Sequence, residues 1–403
     1  MSSTRKYALL ASLYIAQGLP FGFFMQSLPV LLRNEGMALE TIGFSAVLAL
    51  PWAFKFLWAP ALDKWGSRRH WIMAANALAV VALLALSLLP LQELATRALG
   101  WLFFGFFVIN LFSATQDIAT DGLAVNILSQ RERGIGNGIQ VAGYRVGMIL
   151  GGGLLLAWFA LLGWQHSLWV LAAMLAAATL PIAALREADH HRAQESLRLA
   201  DFLAFFRMDR VRLWLLILLT YKFCDHFAGT MVRPLLIDLG MTVEQLALVL
   251  GTVGFGAGLV GALLGGWLVN YLGRYGALLL FGLVQALVAG CWVTISADYH
   301  PLAVIYLLSA GEHLAGGLAT AALFTAMMDH CRSDCGASDY TLQACLVVLA
   351  SLLAAGVSGL SAGQLGYPAH FLLAGMIGLA PLPLLRRYRH NLATGAPPAA
   401  LRV

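Results

Sequence analysis

Apolar runs of about twenty residues alternate with short polar connectors from one end of the chain to the other. A helix rising 1.5 Å per residue needs about that many residues to cross the hydrocarbon core of a bilayer. The pattern predicts twelve spans, over 7–32, 42–62, 71–91, 98–126, 137–160, 165–185, 213–237, 245–271, 276–296, 301–328, 340–362 and 367–385. Barrel strands would read as short segments of alternating polarity, whereas these runs are long and continuous. The predicted class is an all-α membrane protein. The first run follows Arg5 and Lys6, yet it is too long for a secretory leader and holds Gln17, Pro20 and Gln26, so it reads as a retained helix.

The longest polar stretch, 186–212, divides the spans six and six. This predicts an N-terminal six-helix bundle over 1–186, a cytoplasmic linker over 187–211, and a C-terminal bundle with a short tail over 212–403. Within the linker, Leu197 to Phe206 reads either as an amphipathic helix on the membrane surface or as a plain connector. The halves repeat. Pro29 matches Pro234, Gly36-Met37 matches Gly240-Met241, and Asp63 and Gly66 match Asn270 and Gly273. Duplication at half-length is a mark of transporter folds, whose substrate site lies near the bilayer midplane. Many of the 41 glycines fall inside spans, where small residues let helices approach closely.

Composition sharpens the picture. Of 403 residues, 60% are hydrophobic and only 11% charged, against about 25% charged in soluble domains. The net charge of +5 is explained by topology. With the amino terminus in the cytoplasm, nineteen of the 25 Lys and Arg residues fall in cytoplasmic segments, four within spans, and only Arg33 and Arg97 on the other side. This positive-inside split places both termini in the cytoplasm and removes nucleic acid as a partner. The five cysteines suggest no disulfide framework. Cys331 and Cys335, near His330, lack the second ligand pair of a zinc site. No metal and no cofactor are expected. The chain has no phosphate-binding GxxxxGK[ST] loop and no convincing nucleophile–base constellation, which argues against an ATP-driven pump and against an enzyme.

Ionisable groups inside a bilayer cost about 2.5–3.5 kcal/mol each on insertion scales, so they mark pathways or pairs. Nine candidates stand out in the predicted spans: Lys55, Asp117, Asp121, Arg145, Lys222, Asp225, His226, Glu312 and His313. Asp117 and Asp121 share a helix face, with Gln116 on a neighbouring stripe and Tyr144-Arg145 at matching depth. An Asp117–Arg145 pair is the economical reading, although Lys55 is an alternative partner. Lys222, Asp225 and His226 lie within one helical turn. They form either a substrate-attracting lysine with its counter-ion or a purely structural pair. Glu312, with few obvious partners, is a candidate proton carrier, and His226 or His313 a proton partner. Asp117 and Asp225 join the coupling candidates. Tyr14, Gln17, Phe24 and Gln26 complete the substrate-binding set with Lys55, Gln116, Tyr144, Arg145, Lys222 and Asp225. Gln17 and Phe24 sit seven apart on one face, and polar groups avoid lipid.

The connector Ala61 to Arg69, ALDKWGSRR, resembles the loop motif of the major facilitator superfamily. That resemblance implies a conformational latch by Asp63, Arg68 and Arg69, with Asp121 as partner. The second copy departs from the motif, because Asn270 replaces the acid and only Arg274 remains, so a weaker latch is expected there. LYIAQGLPFGF (13–23), FKFLWAPALDKWG (54–66), SATQDIATDG (113–122) and YKFCDHFA (221–228) look like the muropeptide permease, or AmpG-like, branch. The stretches 132–153 and 312–328 look the same way. The compact chain and the loop CRSDCGASDYTLQA (331–344) look more like the siderophore importers of the RhtX/FptX group. The resemblance implies an inner-membrane secondary transporter. It would import a siderophore or iron–siderophore complex of pyochelin type, driven by protons, as a monomer and by alternating access. The alternative is a sugar-peptide permease. The partners implied are a small-molecule substrate, the lipid bilayer and the proton.

Overall fold

The computed structural model describes residues 1–38, 41, 45–185, 211–297, 301–332 and 335–393, and they are almost entirely helical. Apart from Val211, the linker expected over 187–211 lies outside the described residues, as does its amphipathic stretch. Eight stretches among the described residues are long and apolar enough to cross a membrane. Five cross once: α1 (Ser3–Asn34), α3 (Arg68–Ser87), α4 (Leu99–Ile127), α7 (Val211–Asp238) and α10 (Leu302–Asp329). The other three, Arg133–Ala183, Leu248–Ser296 and Gly336–Arg389, have 51, 49 and 54 residues, each more than twice the length of one crossing. Each turns at a left-handed glycine, at Gly163, Gly273 and Gly366 with φ of 66°, 70° and 75°. A side chain there would clash with its own carbonyl, so the helix reverses where Cβ is absent. These turns separate α5 from α6, α8 from α9 and α11 from α12. The remaining span, α2 over 45–64, is a run of short α and 3₁₀ pieces, with Pro51 and Pro60 opening its two longer α segments. Twelve crossings result, as the hydropathy predicts.

The repeat in the sequence is a repeat in backbone geometry. Gly36 ends α1 at φ 80°, and Gly240 ends α7 at φ 82°. Met37 N donates to Leu32 O at 3.0 Å, and Met241 N to Leu236 O at 3.1 Å. Both are six-residue glycine caps that close the last helical carbonyls.

The helices gather into two compact units. The first comprises Met1–Leu128 with the described residues of Gly143–Arg198 and Asp334–Thr341; the second comprises Ser129–Ala142 and the rest. The start of α5 thus belongs to the second unit, and the start of α11 to the first. In the first unit Leu19, Phe23, Phe106 and Leu168 form the centre of the core. With no hydrophobic drive between helices in lipid, close fit does the holding. The backbones of α1 and α5 touch along Gly18, Gly22, Gly147 and Gly151, and a Cβ on Gly22 would lie 2.5 Å from the Met148 carbonyl oxygen. Both helices carry a π-helical turn at this contact, Phe23–Ser27 and Ile149–Leu154. Ser27 Oγ donates to Gly152 O at 2.8 Å. The second unit packs Phe227, Trp292 and Phe371 in its core, while Gly261, Gly265 and Gly317 bring α8 against α10.

Candidate functional site

In the first unit one buried carboxylate organises three helices. Asp117, on α4, accepts from Lys55 on α2 through Oδ2 and from Gln17 on α1 through Oδ1. Of the two pairings open from sequence, the structure gives Asp117 to Lys55. Lysine and aspartate are 5% and 2% exposed, so each neutralises a charge that the interior would otherwise reject. The 3₁₀ piece at Lys55–Leu57 sets the lysine at the break in α2. One turn along α4, Asp121 accepts from Tyr14 Oη at 2.9 Å. Gln116 donates to Leu13 O at 3.2 Å and to Thr120 Oγ1 at 2.8 Å. The carbonyl oxygens of Gln17 and Gln116 are buried without a partner among the described residues.

Rings stand beside this pair. Phe21 meets Trp52 edge-on at 5.3 Å and Tyr144 at 5.7 Å. Lys55 Nζ lies 5.7 Å from the Trp52 ring centre, and the Trp52 indole donates to Asn110 Oδ1 at 3.0 Å. Arg145 is half-buried on the next position of α5. Phe24 is placed elsewhere, packed in the core against Phe106. Gln26 lies against Gly152.

The second unit has its own lysine–aspartate pair. Lys222 interrupts α7 and caps the helix Phe223–Asp238. Its ammonium reaches Asp225 Oδ2 at 2.5 Å, Gln285 Oε1 at 2.9 Å and Gly316 O at 3.4 Å. Gln285 donates in turn to Tyr221 O at 3.1 Å, which fixes its amide. Glu312 on α10 accepts from the Trp292 indole at 2.9 Å. The two acids face glycines across the helix pair. A Cβ on Gly316 would lie 3.4 Å from Asp225 Oδ1, and one on Gly229 would lie 2.9 Å from Glu312 Oε1. Asp225 and Gly229, like Glu312 and Gly316, are four residues apart, so the arrangement is reciprocal. His226 is exposed on α7, one turn along from Lys222. His313 Nδ1 donates to Ser309 O at 3.0 Å and lies against Gly254.

The loop charges form two separate clusters. Asp63 binds Arg68 at 2.7 Å and accepts from the first amides of α11, Ala337 N at 3.2 Å and Ser338 N at 2.7 Å, together with Ser338 Oγ. A carboxylate at a helix N-terminus meets unpaired N–H groups and the positive end of the dipole. Arg68 also donates to Leu62 O at 2.8 Å, and Gly122, beside Asp121, leaves room for its guanidinium. Arg69 is the second residue of α3. The second cluster corrects the expectation of a lone Arg274. Asp329, at the end of α10, accepts from Arg133 and Arg274 at 2.8 Å each. The acid missing from position 270 is supplied by another helix. Beside it, His330 Nδ1 donates to Ala326 O at 2.6 Å, so Nε2 accepts from Tyr388 Oη at 2.6 Å. The ring stacks on Trp214 at 4.2 Å, and burial pushes its pKa below the usual histidine value. Cys331 and Cys335 are both buried.

Sequence reasoning missed Trp52, Asn110, Gln285, Trp292, Ser338 and Asp329. A tryptophan in an apolar run carries no polar signal, and an amide or a loop acid acquires meaning only through a distant partner. The signal available for Asp329 was its position one helix end away from Arg274.

The Major Facilitator Superfamily model matches residues 10–355. The anhydromuropeptide permease of Escherichia coli K12 is 33% identical over 401 residues, covering 96% of this chain and 80% of that protein. Among solved structures, a human organic anion transporter aligns with a TM-score of 0.75 at 14% identity, over 96% of this chain and 100% of its own. The fucose:proton symporter of E. coli aligns with a TM-score of 0.73 at 15% identity, over 96% and 99%. These two share the fold. The match to the permease overturns the siderophore reading. Of the stretch that suggested it, Gly336 onward is the start of α11, whose first amides receive Asp63. The chain is a multi-pass membrane transporter and belongs to the Major Facilitator Superfamily.

Proposed function

We propose that the chain imports sugar-peptides of the anhydromuropeptide kind across the bacterial inner membrane, driven by protons and by alternating access. The observation that carries this reading is the 33% identity to the E. coli permease over nearly the whole chain. The chemistry of the site supports it. A peptide-bearing anhydro sugar carries carboxylates, and each unit holds a buried lysine matched by an aspartate. At Lys222 a substrate carboxylate replaces Asp225, and the displaced Asp225 takes up a proton, so neither state leaves a bare charge in low dielectric. Lys55, Lys222 and the amides of Gln17 and Gln116 are the substrate contacts in this reading. Asp225 and Glu312, with His313, His226 and Asp117, are the proton-coupling groups. Asp63 with Arg68 and Arg69 secures one conformation. The charge split along the sequence supports cytoplasmic termini, with two six-helix halves over 1–186 and 212–403 working as a monomer.

The test is uptake of radiolabelled anhydromuropeptide into cells lacking the gene, with and without a complementing copy. Restored uptake that collapses with a protonophore is the expected result. Equal uptake in both strains overturns the reading.

A further inference from the structure

Four helices of the first unit close a circuit of contacts. From Gln17 on α1 it passes to Asp117, to Lys55, to the ring of Trp52, to Phe21, and back along α1, where Phe21 and Gln17 are one turn apart. Tyr144 of α5 joins at Phe21. Phe21, Trp52 and Tyr144 are each half-buried, unlike the closed core rings Phe23 and Phe106. Trp52 is held at its polar end by Asn110 and along its ring by the edge of Phe21. Its plane is therefore set before any ligand arrives. Within the circuit the Gln17 side-chain carbonyl is more than nine-tenths buried and accepts no hydrogen bond among the described residues. A buried acceptor without a donor is costly in a native fold, and such a group calls for a partner.

Oriented aromatic faces next to a carboxylate and an amide acceptor match one ligand chemistry. A pyranose ring offers C–H faces that lie on aromatic planes, with hydroxyl and acetamido N–H donors around its rim. We infer that Phe21, Trp52 and Tyr144, with Gln17 and Asp117, form the subsite that receives the saccharide part of the substrate. This rests on the sugar-peptide reading and assigns one part of that substrate to one unit. Trp52 stacks on the ring, Gln17 Oε1 accepts from a rim donor, and Asp117 offers a second acceptor.

The experiment is calorimetric binding to purified protein in nanodiscs, with three probes: the intact anhydromuropeptide, its anhydro-disaccharide without peptide, and its free peptide. Expected is that W52A weakens the intact and disaccharide probes at least tenfold while peptide binding stays within twofold, which also shows that the variant is folded. W52F, which keeps a ring, falls between. Q17L weakens the two sugar-bearing probes in the same way. Wild-type binding of the intact and peptide probes without the disaccharide overturns the subsite alone. So does a W52A protein that loses all three probes equally while W52F and Q17L bind like wild type. No binding of any probe to wild type overturns the sugar-peptide reading and the subsite with it.

Discussion

The Glu312 carboxylate accepts a hydrogen bond from the Trp292 indole at 2.9 Å, a neutral donor where a buried acid would usually meet a cation. Around it stand Lys222, Asp225 and, beside it on α10, His313. In the E312Q variant, uptake driven by an imposed pH gradient should fall at least tenfold while substrate exchange without a gradient continues. W292F removes that hydrogen bond, worth about 0.5–1.5 kcal/mol, and should give a partial loss. Proteoliposome uptake with and without a gradient checks both. Full gradient-driven accumulation by E312Q would remove Glu312 from the proton path.

Gly229 leaves the space that Glu312 occupies. A methyl group there would lie 2.9 Å from Oε1, so the carboxylate tip must shift, and with it the angle at which Oε2 meets Trp292. The G229A variant should therefore lose part of gradient-driven uptake, less than W292F loses. G251A, where a Cβ meets nothing within 4 Å, should transport like wild type. Equal behaviour of the two alanine variants would separate the glycine from the acid.

Breaking the Lys55–Asp117 pair leaves one charge stranded. For K55M or D117N alone the expected loss is about 3–5 kcal/mol, the usual consequence of an uncompensated buried charge. The double variant K55M/D117N should recover much of it. Thermal unfolding in detergent reads the order: both single variants melt lower than the double. Additive losses in the double variant would show that the two groups act independently.

Asp329 serves two arginines with its two oxygens. D329N should lower the melting temperature more than R133A or R274A alone, and adding either arginine change to D329N should cost little more. Independent losses in the combined variants would contradict a shared cluster.

His330 supplies a pH dependence with a definite sign. Burial lowers its folded pKa below the ordinary histidine value of about 6.5. The unfolded chain therefore binds the proton more readily, and the stability of the His330–Trp214–Tyr388 cluster is full above about pH 6.5 and declines as pH falls below it. Melting temperatures from pH 8 to pH 5 should fall more steeply for wild type than for H330Q. Parallel curves would assign the acid sensitivity to other groups.

The twelve crossings were legible because a bilayer imposes one length on every span and a penalty on every stray charge. Asp117, Lys222 and Glu312 stood out for that second reason. What the sequence withheld is pairing across helices. Neutral residues such as Gln285 and Trp292 carry no charge signal, and they gain a role only when folding sets them beside Lys222 and Glu312. Asp329 was invisible as the partner of Arg274 because the repeat directed attention to position 270. Phe24 shows the converse. Its sequence spacing from Gln17 fits a shared face, yet the π-helical turn beginning at Phe23 accompanies a core position against Phe106.

The bare-backbone contact of α1 with α5 has a mechanical consequence. Side chains between two helices act as a lubricating layer that repacks when one slides; here that layer is missing, and carbonyls rest directly on α-carbons. The two helices are therefore expected to travel as a single stiff rod. A push delivered to Gln17 or Phe21 by an arriving ligand would then reach the far end of α5 undiminished.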